Sequence, residues 1–535
     1  MQRRNSGTVV IAGNAFGINI LAALVTAGLL WLAFPGGGGI WPLLFIALVP
    51  LLLAVIKTGT VRQAGICGVL TGLFHFLVLL YWLVTVLGRY GGLPSFLSVP
   101  AFVLLALYMS LYMGIFALIA RLFFVRLPWQ IALWVIPCLW VALDWCRSSL
   151  FSGFPWMDLG YALANVPWLV QSADLWGHYG LSYCLVLINT LAAMLFLSGT
   201  RKRGQLAWFV PVLLLCCGVA LYSFLRWQQI GRQMLVSETM RIGVVQGNIA
   251  QDLKWSPHLQ QETLTNYIGQ SRGLIEKNHP SLVVWPETAL PFYPVAHPLL
   301  QPVRDLAAQG QISLLTGAPW YEQDGGSSDG QGMRRYYNSA LLFDASGQIT
   351  DMYSKSHLVP FGEYVPLKKF LPFLAPVVEA VGDFRPGVIQ HPLACQNARI
   401  GVLICFESIF PDIARKWVGV KANILVNLTN DAWYGRSSAP YHSMAMTVLR
   451  AVETRRSLVR AANTGFSGFI DPLGRVRMIS PLFEPWAASA EVVLMDVETW
   501  FVRWGYLFAP LCLGVVIVFL IGTILRNPRG RHFSE

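Results

Sequence analysis

The sequence predicts two structural classes in one chain: a multi-pass α-helical membrane domain and an α/β domain on the extracytoplasmic side. Three observations predict this. Hydrophobic residues make up 55% of the 535 residues and charged residues only 12%. A soluble domain carries about 25% charged residues, so a wholly soluble enzyme and a disordered chain are both excluded. The mean hydropathy of +0.54 is unevenly spread: both ends are apolar and the middle is not. Finally, Lys and Arg fall on alternate sides of the apolar runs.

A membrane span needs about 20 mostly apolar residues. Seven candidates precede residue 230, over 17–34, 40–56, 64–87, 99–125, 131–145, 179–197 and 207–225. An eighth covers 506–525. The fifth ends in Asp144 and Arg147 and also reads as a partly inserted helix. Arg3 and Arg4 before a long series of spans read as a cytoplasmic anchor rather than a cleaved leader.

Basic residues favour the cytoplasmic side. Arg3 and Arg4, Lys57 and Arg62, Arg121 and Arg126, and the Arg201 to Arg203 run assign those bends inside. The uncharged Gly36–Gly39 turn and the loop with Asp158 and Asp174 fall outside; lone Arg89 is the exception. The polar middle then lies outside, and the last span returns to Arg526, Arg529 and Arg531 inside. The domains expected are 1–226 (membrane), 227–502 (catalytic) and 503–535 (final span and cytoplasmic tail). Gly36–Gly39 lacks the Lys-Ser/Thr of a phosphate loop and reads as a turn.

The net charge of +12 has no basic stripe interleaved with aromatics, which argues against nucleic acid. Seven of nine cysteines lie in apolar stretches; Cys395 and Cys405 are in the middle. There is no CxxC pair, and His297, His357, His391 and His442 lack ligand spacing. No metal or cofactor is expected.

The middle shows short Val/Ile/Leu-rich runs at 240–246, 281–285, 312–316, 339–343, 399–405, 424–428, 458–462 and 490–495. Helical periodicity appears over 259–276 and 444–456. Strands alternating with helices predict an α/β domain. Residues 322–332 have the composition of a flexible loop.

Three strand ends carry chemistry. Val283-Val284-Trp285-Pro286-Glu287 runs an apolar strand into Pro and then a carboxylate. Pro ends the ladder, and a Glu among apolar walls is a proton acceptor. Alone it equally suits a surface Glu. Tyr353-Ser354-Lys355-Ser356-His357 holds an ammonium that suits either an oxyanion or solvent. Gly401-Val402-Leu403-Ile404-Cys405-Phe406-Glu407 ends a core strand in a thiol, which is inert packing or a presented nucleophile. Together, thiol, carboxylate and ammonium equip a domain for acyl transfer through a thioester.

Glu287, Lys355 and Cys405 in that order resemble the triad of the nitrilase (carbon–nitrogen hydrolase) superfamily. The spans, Gly153-Phe154-Pro155-Trp156, Val245-Gln246-Gly247-Asn248, the Trp255 segment, His357-Leu358-Val359-Pro360-Phe361-Gly362-Glu363 and Asn430-Asp431-Ala432-Trp433-Tyr434-Gly435 narrow the resemblance. Almost the full length is similar to the apolipoprotein N-acyltransferase family. The resemblance implies a nitrilase-like αββα sandwich on a membrane base in the bacterial inner membrane, with the catalytic domain periplasmic and both termini cytoplasmic. It implies acyl transfer from a phospholipid, usually phosphatidylethanolamine, to the amine of a diacylglyceryl-cysteine apolipoprotein. Cys405 would be the nucleophile, Glu287 the base and Lys355 the oxyanion partner. Glu363 would support Lys355, and Trp255, Phe406, Glu407, Trp433 and Tyr434 would lie near the site. Phe406 stands where the family often has Tyr. Apolar cover over 358–361, 371–378 and 433–434 would exclude water or serve as ordinary packing. Nothing demands more than a monomer.

Two other readings remain. A tethered amidase is permitted by the triad but leaves eight spans without purpose. A transporter would need several charges inside its spans, and only Asp144 and Arg147 are present.

Overall fold

The computed structural model describes residues 10–197, 202–251, 256–323, 334–365, 384–505 and 507–525. Trp255, the stretch 371–378, most of the 322–332 loop and the terminal arginines lie outside the described residues.

The N-terminal part is helical: α1 (Val10–Ala33), α2 (Val49–Lys57), α3 (Val61–Leu79), α4 (Ser95–Arg126), α5 (Trp129–Ser149), α6 (Ala173–Leu197) and α7 (Lys202–Val236). Six helices among the described residues are long and apolar enough to cross a membrane: α3 to α6, the 209–236 part of α7, and the C-terminal helix 508–525. Gly17–Ala33 and Trp41–Lys57 are apolar but shorter. The second of these opens with a 3₁₀ turn, Trp41–Phe45, before α2. Each piece carries a Pro in its first turn, where a missing N–H costs nothing.

Asp144 and Arg147, which weakened the fifth span in sequence, are both buried on α5. Arg147 bonds Asp144 at 3.1 Å and also Asp158. The charges face protein and pair there, the condition under which ionisable groups are tolerated at membrane depth.

The middle domain contains β1 (Thr239–Gln246), α8 (Pro257–Asn278), β2 (Leu282–Val284), α9 (Gln301–Gly310), β3 (Ser313–Gln323), β4 (Arg334–Phe343), β5 (Ile349–Ser354), β6 (Leu393–Cys395), β7 (Ala398–Ile404), α10 (Pro411–Gly419), β8 (Ile424–Thr429), α11 (Ala439–Thr454), β9 (Ser457–Ala462), β10 (Gly468–Ile470), β11 (Val476–Ile479) and β12 (Trp486–Val493). The short α12 (Trp500–Trp504) leads into α13 (Phe508–Leu525).

Two six-stranded sheets form, ordered β12-β1-β2-β3-β4-β5 and β11-β10-β9-β8-β7-β6. The central pairs β1–β2–β3 and β7–β8–β9 are parallel. Parallel strands are buried on both faces, hence their continuous Val/Ile/Leu runs. Alternation sorts the two faces. Ile242, Val244, Leu282, Val284 and Leu315 join a core shared with Ile400, Val402, Val426 and Leu428 of the other sheet. Val245, Val283 and Leu314 instead pack with Leu264, Tyr267, Leu274, Val303 and Leu306 of α8 and α9. Helices α10 and α11 cover β7 and β9 on the opposite outer face. The result is the αββα sandwich with its core between the sheets.

The sandwich and the helical base share buried polar contacts. Arg455 donates to Asp174 at 2.9 Å and to the Gln171 carbonyl at 2.8 Å. Glu453 Oε1 accepts the His178 backbone N–H at 3.1 Å. Trp156 Nε1 donates to His442 Nδ1 at 3.2 Å. Buried Arg must be paired, so these contacts fix where α11 stands on the base.

Candidate active site

The three strand-end groups come to one place. β2 ends at Val284, and Trp285-Pro286 carries the chain to Glu287, which is buried. Gly317 on β3 makes room: a Cβ there would meet the Glu287 Cα at 2.6 Å. Lys355 follows the last residue of β5 and is 1% exposed. Cys405 follows β7 and opens a 3₁₀ turn. Its φ of 52° lies in the left-handed region, unusual for a residue with a Cβ, and lifts the side chain out of the strand line.

Lys355 Nζ lies 2.9 Å from Glu363 and 3.9 Å from Glu287. Burial alone would push the ammonium down. Glu363, then Glu287 and Cys405, outweigh it and hold Lys355 above the ordinary lysine range. Burial pushes the Cys405 thiol up to about 12, and Glu287 adds to that. Lys355 and a hydrogen bond with Thr429 pull the other way. The resting group is therefore a neutral thiol beside a cation and a carboxylate.

Glu407 is fully buried and acts as a fastener. Its Oε1 accepts from Tyr353 Oη (2.7 Å), Ser356 N (2.7 Å), Ser356 Oγ (2.8 Å) and His357 N (3.1 Å). Its Oε2 accepts from Ile404 N at 2.8 Å. The carboxylate thus ties the segment bearing Lys355 to the turn bearing Cys405. Glu363 fastens its own loop to Lys355, accepting Val359 N at 2.8 Å besides the ammonium.

Phe406, Trp433 and Tyr434 make the aromatic contacts with the base. Phe406 stacks on Phe154 of the base, with centroids 6.3 Å apart and planes at 23°. Tyr434 meets Trp82 at 4.9 Å and Trp156 at 6.1 Å. Its phenol is pushed well up, chiefly by burial and then by Cys405. Trp433 meets Tyr90 at 5.6 Å. His357 lies against Phe410, with ring centroids 4.1 Å apart and planes tilted at 43°, and burial, then Lys355, pushes it down to about 4, a neutral ring. His442 is paired with Trp156, and no group of three or more potential metal ligands occurs among the described residues.

Two site residues were not read from the sequence. Asn338 on β4 donates to both Glu287 and Glu363 at 2.8 Å. Thr429, ending β8, bonds Asp431 at 2.9 Å beside Cys405. The signal for Asn338 was the polar pair Asn338-Ser339 between the aromatic Tyr336-Tyr337 and the apolar Ala340–Phe343 of the same strand.

Chemically, the arrangement offers a thiol, a carboxylate to take its proton and a fixed cation for an oxyanion, above an aromatic floor.

Comparison with known proteins matches residues 26–191 to the "Apolipoprotein N-acyltransferase N-terminal domain" model and 241–500 to the "Carbon-nitrogen hydrolase" model. An apolipoprotein N-acyltransferase of Geobacter metallireducens is 39% identical over 508 residues, 93% of this chain and 94% of that protein. One from Gloeobacter violaceus is 33% identical over 542 aligned positions, 99% of this chain and 96% of that protein. Among solved structures, the amidase of Nesterenkonia sp. AN1 aligns at TM-score 0.35 and 20% identity, over 49% of this chain and 95% of the amidase.

Proposed function

This chain belongs to the apolipoprotein N-acyltransferase family, and from that premise we propose that Cys405, Glu287 and Lys355 carry its acyl transfer through a thioester. It is a membrane acyltransferase of lipoprotein maturation. The donor is a phospholipid, phosphatidylethanolamine by our reading, and the acceptor is the α-amine of a diacylglyceryl-cysteine apolipoprotein. The supporting observation is the buried cluster at Cys405: Lys355 Nζ lies 2.9 Å from Glu363 and 3.9 Å from Glu287, and the charges of Glu287 and Lys355 act on Cys405 in opposite directions.

In the first half-reaction Glu287 takes the thiol proton and sulfur attacks the ester carbonyl carbon. The oxyanion is held by Lys355 and the backbone N–H after Cys405. Collapse breaks the ester C–O bond, and the departing alkoxide takes the proton from Glu287, leaving lysophospholipid and a thioester. In the second half the acceptor amine attacks the thioester carbonyl. Glu287 removes the amine proton, the amide forms, and the thiolate leaves and is reprotonated.

Because the free thiol is neutral at rest, a base must take its proton for the sulfur to attack. A thiolate standing open would also react with water-borne electrophiles. Phe406, next to Cys405 and packed on Phe154, and Tyr434, packed on Trp156, supply apolar cover at the nucleophile, favouring transfer over hydrolysis.

Taking acyl chains out of lipid costs about 0.8 kcal/mol per CH₂. A sandwich seated on apolar helices lets the chains stay in lipid while the ester reaches sulfur. We assign residues 1–226 to the base, 227–502 to the catalytic domain, and 503–535 to the final span and tail. The distribution of basic residues supports a periplasmic catalytic domain, cytoplasmic termini and an inner-membrane site.

The test supplies phosphatidylethanolamine carrying a labelled acyl chain and a diacylated lipopeptide. Wild type should produce the labelled amide and Cys405→Ala none. Substantial transfer by a well-folded Cys405→Ala protein would overturn the assignment.

A further inference from the structure

Asn338 sits at the centre of the charged cluster, and the reaction steps above give it no part. It is 6% exposed, on β4 between the paired strands β3 and β5. Its backbone carbonyl accepts the Lys355 N–H at 2.8 Å. Its amide nitrogen spends one hydrogen on Glu287 Oε1 and the other on Glu363 Oε1, each at 2.8 Å. Its Oδ1 is buried and meets no donor among the described residues. A buried acceptor without a donor is unfavourable. The reversed amide would be worse, because its oxygen would face two carboxylates. The carboxylates therefore set the amide, and the amide in turn spaces them.

That spacing has a chemical consequence. One lysine stands beside two glutamates, making a hydrogen bond to Glu363 and a longer ion pair with Glu287. Lys355 is at 2.9 Å from Glu363 but 3.9 Å from Glu287. The neutral amide occupies the position on Glu287 that the ammonium would otherwise take. A carboxylate in direct contact with an ammonium is a weaker base, whereas an uncharged donor orients it with less loss of basicity.

We propose that Asn338 is a positioning residue for acyl transfer: its amide bridges Glu287 and Glu363, commits Lys355 to Glu363, and keeps Glu287 as the group that exchanges protons with Cys405 and the acceptor amine. This rests on the roles given to Glu287, Lys355 and Cys405 above. The charged and titratable groups around the amide are Glu287 after β2, and Lys355 and Glu363 after β5. Cys405 after β7 and Asp431 after β8 face them from the other sheet. Asp at 338 would keep the shape but put a third carboxylate beside one lysine. Such a cluster retains a proton to higher pH. Ala would remove the bridge without adding charge.

The experiment uses the full-length protein in detergent, with phosphatidylethanolamine as donor and a diacylated lipopeptide as acceptor. Wild type, Asn338→Asp, Asn338→Ala, Glu287→Gln and Cys405→Ala are followed from pH 6 to 9. We expect Asn338→Asp to lose about 100-fold in kcat at pH 7 with KM nearly unchanged, as for a misplaced general base. Its acid limb should move up by about one pH unit, the scale of a changed charge neighbour. Asn338→Ala should lose at least about tenfold in kcat, also without a KM change. If Asn338→Asp does not fold, the kcat and KM of Asn338→Ala decide. Wild-type kcat, a change confined to KM, or a loss in Asn338→Asp with an unmoved pH profile would each overturn the proposal. If Glu287→Gln stays active, the failure belongs instead to the assignment of the base.

Discussion

Glu407 Oε1 accepts the backbone N–H of Ser356 at 2.7 Å. One buried carboxylate thereby fixes the chain next to Lys355 to the turn that begins at Cys405. Glu407→Gln keeps the size but turns an amide N–H toward backbone donors. Hydrogen bonds to a charged acceptor contribute about 1.5–3 kcal/mol each, and an orphaned buried donor costs about as much. We predict at least about 100-fold loss of transfer, because the nucleophile and cation lose their register. The check is kcat beside a thermal melt; wild-type kcat in a folded Glu407→Gln protein would refute the fastening role.

The thiol gives a prediction with an unexpected sign. Burial and then Glu287 hold Cys405 up near 12, while Lys355 lowers it. Its reaction with a small neutral alkylating reagent should still be rising at pH 10 in wild type. Glu287→Gln removes a charge that raises the thiol, so titration moves down and alkylation at pH 9 becomes faster, by about tenfold for one unit. Transfer is lost at the same time. Lys355→Met should slow alkylation. An unchanged alkylation rate in Glu287→Gln would show that the two groups do not sense one another.

Backbone strain at the nucleophile is separable from its chemistry. Cys405 has φ 52°, a conformation that costs a residue with a Cβ roughly 1–2 kcal/mol and glycine almost nothing. Cys405→Gly and Cys405→Ala should both be inactive, but the Gly protein should melt higher by the equivalent of about 1 kcal/mol. Equal melting temperatures would mean that the turn relaxes in the Ala protein.

The seat of the sandwich on its base depends on Arg455 and Asp174. Asp174→Ala takes the carboxylate from the buried Arg455 guanidinium and also from Arg226, which it binds at 2.6 Å, a loss of about 3–5 kcal/mol. Replacing both, Asp174→Ala with Arg455→Met, should recover much of the stability. Thermal unfolding in detergent reads both. Additive destabilisation in the double variant would deny the coupling.

Much of this was legible in the sequence because chemistry and periodicity coincided. The parallel strands β1, β2, β3, β7, β8 and β9 are rich in Val, Ile, Leu and Ala, and each predicted segment falls on an observed strand. The strands that were missed are short or marginal. β6 and β11 are edges, β10 has three residues, and β5 reads Ile-Thr-Asp-Met-Tyr-Ser, too polar to stand out. β3 and β4 run further than expected because Trp320, Tyr321, Tyr336 and Tyr337 prolong the hairpin beyond the core.

Local sequence could say less about the cluster. Lys355 next to Ser354 and Ser356 looks like a solvated lysine, and only pairing across the sheet buries it. Asn338 lacked any motif of its own, since its role comes from two carboxylates brought in by other strands. Asp144 and Arg147 looked like a weak span end because Arg147's second partner, Asp158, lies in the following loop.

The most direct test is the intact mass of purified protein given phosphatidylethanolamine and no acceptor, with Cys405→Ala alongside. The account predicts a fatty-acyl increment on wild type, released by neutral hydroxylamine and absent from the variant. A folded wild type without the increment, or a variant that carries it, would contradict a thioester at Cys405.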